Sequence, residues 1–172
     1  MALELLGSFF VALTLGLFLW ALRKKVPAIP GWLTPVAAGV GLIVTAIYME
    51  YSWFDRVSRA LPPEFVVANE EASASPLRPW TYVAPLVNRF TALDASKLAR
   101  HPERSELIVA PVFGFARWEN PQNALMVFDC AGNRRVPVTE GMAIDANGTL
   151  TGADWVVLDA TDGLQAAACK EG

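Results

Sequence analysis

The sequence predicts an α+β chain built in two parts: a two-helix transmembrane hairpin, then a small, mainly antiparallel β domain. Three observations predict it. Two runs of 18 residues without a charge fall in the first fifty residues. The stretch between them, "RKKVPAIPG", holds three cations and no acid. The second half breaks into short β-branched and aromatic runs separated by turn residues, the pattern of strands and hairpins.

The first run extends from Leu5 to Leu22 and the second from Trp32 to Met49. At a rise of about 1.5 Å per residue each reaches roughly 27 Å, close to a hydrocarbon core of about 30 Å. Neither shows a polar stripe at helical spacing, so neither reads as an amphipathic core helix. A cleaved signal peptide carries its cations before the apolar run. Here Glu4 precedes it, while Arg23, Lys24 and Lys25 follow it, so an uncleaved anchor is expected. Loops rich in Lys and Arg stay in the cytoplasm. The expected placement is the bacterial inner (cytoplasmic) membrane, with loop 23–31 cytoplasmic and both termini periplasmic. Tyr48, Tyr51 and Trp53 then mark the outer interface, and Trp20 and Trp32 the inner one. Ala37 and Gly41 lie four apart on one helix face, a small-residue face that suits close helix packing. That face serves either the first helix or another membrane protein. Neither run holds a charge at depth, which weighs against a proton relay or ion path.

The expected organisation is a hairpin over 1–54 (helices at about 4–22 and 32–51), an interfacial helix and linker over 55–78, and a periplasmic β-rich domain over 79–172. Trp53, Phe54, Val57 and Leu61 recur at helical spacing, and Pro62-Pro63 stops that helix. "VVANEEASASPLRPW" has the Ser, Ala, Glu and Pro content of a linker. "SELIVAPVFGFARW" reads as a strand, with Pro111 at an edge or bulge. "ALMVFDC" and "RRVPVTE" flank the turn "AGN", and Asn147-Gly148 marks a hairpin. "ADWVVLD" reads as a last strong strand. "TALDASKLARHPE" reads as a single turn capped by Asp94 or Ser96, and "DGLQAAACK" as a short terminal helix.

The formal net charge is −3, and no aromatic-interleaved basic stripe occurs, so no nucleic acid is expected as a partner. There is no phosphate-binding loop, and no cofactor or metal is expected. The two cysteines, Cys130 and Cys169, lack the Cys-x-x-Cys spacing of a redox centre. Two Cys and one His fall short of a four-ligand zinc site. A periplasmic location favours a structural disulfide over free thiols, with catalysis or metal binding the weakest reading.

The order of motifs in the second half resembles the surface-adhesin protein E family of small exported Gram-negative domains. The matching pieces are "ALDASKLARHPE", "VFGFARWENPQ", "VFDCAGNRR" and "DWVVLDATDGLQAAAC", covering roughly Thr81 to Cys169. The resemblance implies an antiparallel sheet with a helix, and a disulfide between Cys130 and Cys169. Members of that family are secreted or lipid-anchored. This chain has two apolar runs and no lipobox cysteine, so host adhesion is not carried over.

The function expected is that of a non-catalytic, membrane-anchored interaction protein, an accessory or assembly subunit of a membrane complex. Its partners are the lipid bilayer and an integral membrane protein complex. Trp80, Tyr82, Phe113, Phe115 and Trp118 are candidate contact aromatics, with sheet core as the plainer role for most of them. Arg134 and Arg135 are candidates for an acidic partner. The alternatives are a periplasmic enzyme using Asp94, Asp129, Glu103 and His101, which no spacing brings together, and a small oligomeric channel or transporter component.

Overall fold

The computed structural model describes residues 2–145, 149–158 and 162–171. The chain divides into two compact units, Met1–Trp53 and Phe54–Gly172.

In the first unit, helix α1 spans Ala2–Lys25 and α2 spans Leu33–Tyr51. Both are long and apolar enough to cross a membrane. Helix α1 runs three residues past its expected end and finishes on Arg23, Lys24 and Lys25, where cations favour the negative end of the helix dipole. The pair packs antiparallel. Gly41 faces Leu15, Gly16 faces Ala38, and Gly31 faces Arg23. A Cβ at Gly16 would meet that of Ala38 at 3.8 Å. Large apolar side chains, among them Phe9, Phe10, Leu17, Phe18, Ile43 and Val44, face outward. The Thr14 and Thr45 hydroxyls donate to carbonyls one turn back, at 2.7 and 2.8 Å.

Helix α3, Trp53–Ala60, carries the chain from the first unit into the second and stops before Pro62-Pro63 as expected. The sheet strands are β1 (Phe65–Ser73), β2 (Leu86–Asp94), β3 (Ala99–Arg100), β4 (Leu107–Ala116), β5 (Gln122–Asp129), β6 (Arg134–Pro137) and β9 (Val156–Val157). They form one antiparallel sheet in the order β1-β2-β4-β5-β6-β9, with β3 also on β4. A separate two-stranded ribbon pairs β7 (Ala143–Ile144) with β8 (Leu150–Thr151). The expected Asn147-Gly148 turn lies outside the described residues. The chain closes with helix α4, Gly163–Glu171.

Three sequence expectations are corrected. The segment expected as a linker contains β1, an edge strand paired along β2 from Phe65↔Asp94 to Ser73↔Leu86. Its Glu, Ser and Ala content is edge chemistry. Bulges between Val67 and Asn69 and between Glu71 and Ala72, with Glu70 and Glu71 between them, discourage pairing with a second chain. Pro111 lies inside the central strand β4 rather than at an edge. It is tolerated where the ladder to β2 (up to Val112) gives way to the ladder to β3 (from Val109). Among the described residues of the "ADWVVLD" run, Val156–Val157 alone form a strand, and both side chains are exposed.

Alternation along each strand separates two faces. Leu93, Ile108, Ala110, Val112 and Phe128 form one core with Leu164 and Ala168 of α4. On the other face, Phe90 and Ala92 pair with Phe115 and Phe113. There Phe54 of α3 packs edge-on against Phe90 at 5.3 Å, and Phe90 stacks on Phe115 at 4.8 Å. Helices α4 and α3 thus cover opposite faces of the sheet.

Candidate functional site

Five of the sequence-predicted polar and sulfur residues meet at one corner of the second unit. Strand β5 ends at Asp129 and β6 begins at Arg134; between them Asn133 adopts a left-handed backbone, φ 46°. Asp129 organises this turn. Its Oδ1 accepts the N–H groups of Ala131 (3.1 Å) and Gly132 (2.9 Å), and its Oδ2 accepts Arg134 Nε at 2.7 Å. Burial opposes ionisation of this carboxyl. The Gly132 N–H, the Arg134 guanidinium and the Ala131 N–H outweigh burial, so its pKa falls below the ordinary value. Arg134 also lies over the Trp155 ring, 4.8 Å from its centroid.

The adjacent Cys130 is bonded to Cys169 on α4, with a Cα–Cα distance of 5.8 Å. Asp162 caps α4. Its Oδ1 accepts the N–H of Gln165 at 3.0 Å and the Arg135 guanidinium at 2.7 Å. Buried Gln165 donates from Nε2 to the Asp129 carbonyl at 2.9 Å. Asn69 on β1 accepts the Gly163 N–H at 3.0 Å. Helix α4 is therefore tied to the sheet by one covalent bond and three polar contacts around an apolar centre. Arg134 and Arg135 spend their charge inside this corner.

Of the acids considered for catalysis, Asp94 holds a turn together as Asp129 does. Asp94 accepts Ser96 Oγ at 2.6 Å and Ser96 N–H at 3.1 Å, and pairs with Lys97 at 3.1 Å. The Ser96 hydroxyl is the main cause of its lowered pKa; burial opposes the shift, and Lys97 adds to it. The ring of His101 accepts the Glu103 N–H at 3.4 Å within a local turn. Among the described residues, no three His, Cys, Asp or Glu side chains converge on a point that could hold a metal ion.

The candidate aromatics divide. Phe113 and Phe115 are half-buried, packed on Phe65 (5.1 Å) and Phe90. Trp80, Tyr82 and Trp118 are exposed. These three belong to the loop between β1 and β2 and to the turn between β4 and β5, which meet at one end of the sheet. A cleft of about 340 Å³ opens there, lined by Ser73, Arg78, Thr81, Arg89, Arg117 and Trp118 among others. Arg117 lies over the Trp118 ring at 4.9 Å, and Arg89 pairs with Glu119 at 3.2 Å. Sequence reasoning singled out Trp118 but missed the arginines beside it. Arg117 adjoins Trp118 in the chain, while Arg78 and Arg89 come from separate segments that only the sheet register brings to it.

No family model, characterised protein or solved structure matches this chain.

In the first unit, Gly41 is buried and turned toward Leu15 of α1, so part of the small-residue face serves the partner helix of the same chain. Ala37 is half-buried on that helix. Gly39 has open space where a Cβ would stand.

Proposed function

We propose that this chain is a non-catalytic interaction protein of the bacterial inner membrane. The α1–α2 pair anchors it, loop 23–31 faces the cytoplasm, and the disulfide-closed unit works in the periplasm. It acts there as an accessory or assembly subunit, contacting an integral membrane complex. The observation that supports this most is the pairing of two features: outward-facing apolar helices with their cations at the connecting loop, and a disulfide-stapled domain that follows them in the chain. An apolar surface of that size in water is an aggregation liability, whereas lipid accepts it. A disulfide such as Cys130–Cys169 persists in an oxidising compartment. The adhesin-like order of motifs supports an exported domain.

The exposed end of the sheet supplies the residue types enriched at binding hot spots, Trp, Tyr and Arg. Purifying the tagged chain from native membranes in mild detergent tests the reading. A stoichiometric membrane-protein partner is expected. A monodisperse chain alone, with a hydrolytic activity abolished by His101→Ala, would overturn it.

A further inference from the structure

The loop between β1 and β2 shows an unusual combination of order and apolar exposure. Leu77 is 91% exposed, Val83 90%, Tyr82 63% and Trp80 43%, and Trp118 on the neighbouring turn is 53% exposed. Single exposed apolar residues are ordinary; a contiguous set marks a contact surface. The loop is fixed from within. Arg78 N–H donates to Ser75 O at 2.9 Å, Thr81 N–H to Arg78 O at 2.9 Å, and Val83 and Ala84 N–H to Trp80 O at 3.1 and 3.0 Å. The buried Thr81 hydroxyl accepts the Ser75 N–H at 2.9 Å and donates to Arg78 O at 2.7 Å. These bonds pair the N–H groups of Ser75, Arg78, Thr81, Val83 and Ala84 within the loop, which lowers the cost of bringing it to a lipid interface. Arg78, Arg89 and Arg117 surround the adjoining cleft, against the single acid Glu119.

Covalent continuity selects the occupant. Phe54 packs on Phe90, and Phe90 stacks on Phe115, one residue short of the Arg89↔Ala116 pair that ends the β2–β4 ladder. The chain therefore enters the second unit over the middle of β2, four residues from Leu86, where the exposed loop joins that strand. Phe54 follows Tyr51, the last residue of α2, by three positions. Three residues span at most about 10 Å. A protein-binding surface of Trp, Tyr and Arg could lie anywhere on the domain. A domain joined to the end of an apolar helix by so short a stretch of chain stays within reach of a bilayer surface, where Trp and Tyr collect and arginines meet anionic headgroups.

We propose that this end of the sheet is a second membrane contact. Leu77 and Val83 enter the boundary between headgroups and acyl chains, Trp80, Tyr82 and Trp118 lie at headgroup level, and the three arginines face anionic lipid. The inference rests on the anchoring reading above, and its test separates the two.

The full chain is placed in nanodiscs of phosphatidylcholine with phosphatidylglycerol. Nitroxide labels are introduced singly by Val83→Cys, Leu42→Cys on exposed α2, and Glu103→Cys on an exposed turn. Collision with oxygen, which concentrates in lipid, is compared with collision with a water-soluble nickel chelate. The label at position 83 is expected to lose nickel accessibility as that at 42 does, while 103 keeps it. The loss at 83 weakens in discs of phosphatidylcholine alone or on Arg78→Gln with Arg89→Gln. If 83 behaves like 103 while 42 is in lipid, anchoring stands and the second contact is refuted. If 83 is shielded from both reagents, protein rather than lipid covers the loop, and the proposal fails. If 42 itself meets the nickel chelate, both readings fall.

Discussion

Cutting the Cys130–Cys169 bond tests how the second unit is held together. The cysteines are 39 residues apart. In the chain-entropy account, closing such a loop removes about 13 cal/mol/K from the unfolded chain, or about 4 kcal/mol at room temperature. The unit Phe54–Gly172 has about 120 residues, and its unfolding entropy is about 0.25 kcal/mol/K at about 2.1 cal/mol/K per residue. The double variant Cys130→Ala with Cys169→Ala is therefore expected to melt about 16 °C lower. The helix itself adds to the sensitivity. At nine residues α4 is too short to persist alone, and it relies on Leu164, Ala168 and the Asp162 and Gln165 contacts to stay docked. Scanning calorimetry of the full chain in detergent micelles reads the shift, with α1 and α2 unaltered. A shift below about 3 °C, worth less than about 1 kcal/mol, would refute the reasoning. It would mean that packing of α4, not the cross-link, sets the stability of the unit.

Three further outcomes follow from the same corner. Leu164→Ala, which empties a buried position between α4 and the sheet, is expected to cost about 2–5 kcal/mol in calorimetric or denaturant unfolding. The folded pKa of Asp129 lies below its ordinary value of 3.8. Its ionised form thus contributes stability that is complete above about pH 4 and is lost as pH falls through the lower folded value. Asp129→Asn is expected to be about 1–3 kcal/mol less stable at neutral pH and to lose less on acidification, when melting temperatures are compared between pH 7 and pH 2.5. In Gly132→Ala the new Cβ would stand 2.7 Å from Asp129 Oδ2 and 2.8 Å from Arg134 Nε. The variant should spread that ion pair and share the flatter acid response of Asp129→Asn; an unchanged response would mean the turn yields without disturbing the pair.

The parts of the fold that were legible are those whose cause is local. Uninterrupted apolar length marks α1 and α2, and Pro62-Pro63 ends α3. Asp94 and Ser96 mark a capped turn, and "DGLQAAACK" a final helix. Edges and breaks were misread because their cause is tertiary. β1 is polar like a linker, since one of its sides borders solvent and its bulges need not repeat. Pro111 is acceptable inside β4 only because β2 and β3 leave a gap beside it. The "ADWVVLD" run looks like core by composition, yet among its described residues Val156 and Val157 alone find a partner strand. The site followed the same division. Arg134 and Arg135 read in the sequence as cations for an outside acidic partner, because Asp129 and Asp162 become their partners only when β5, β6 and α4 meet. The cluster of Arg78, Arg89 and Arg117 around Trp118 is likewise a product of register.

The central claim, an anchored chain with its stapled unit on the oxidising side, is tested most directly by topology. Reporters active only in the periplasm or only in the cytoplasm are fused after Gly172 in bacterial cells. The account predicts signal from the periplasmic reporter alone. Signal from the cytoplasmic reporter would contradict it.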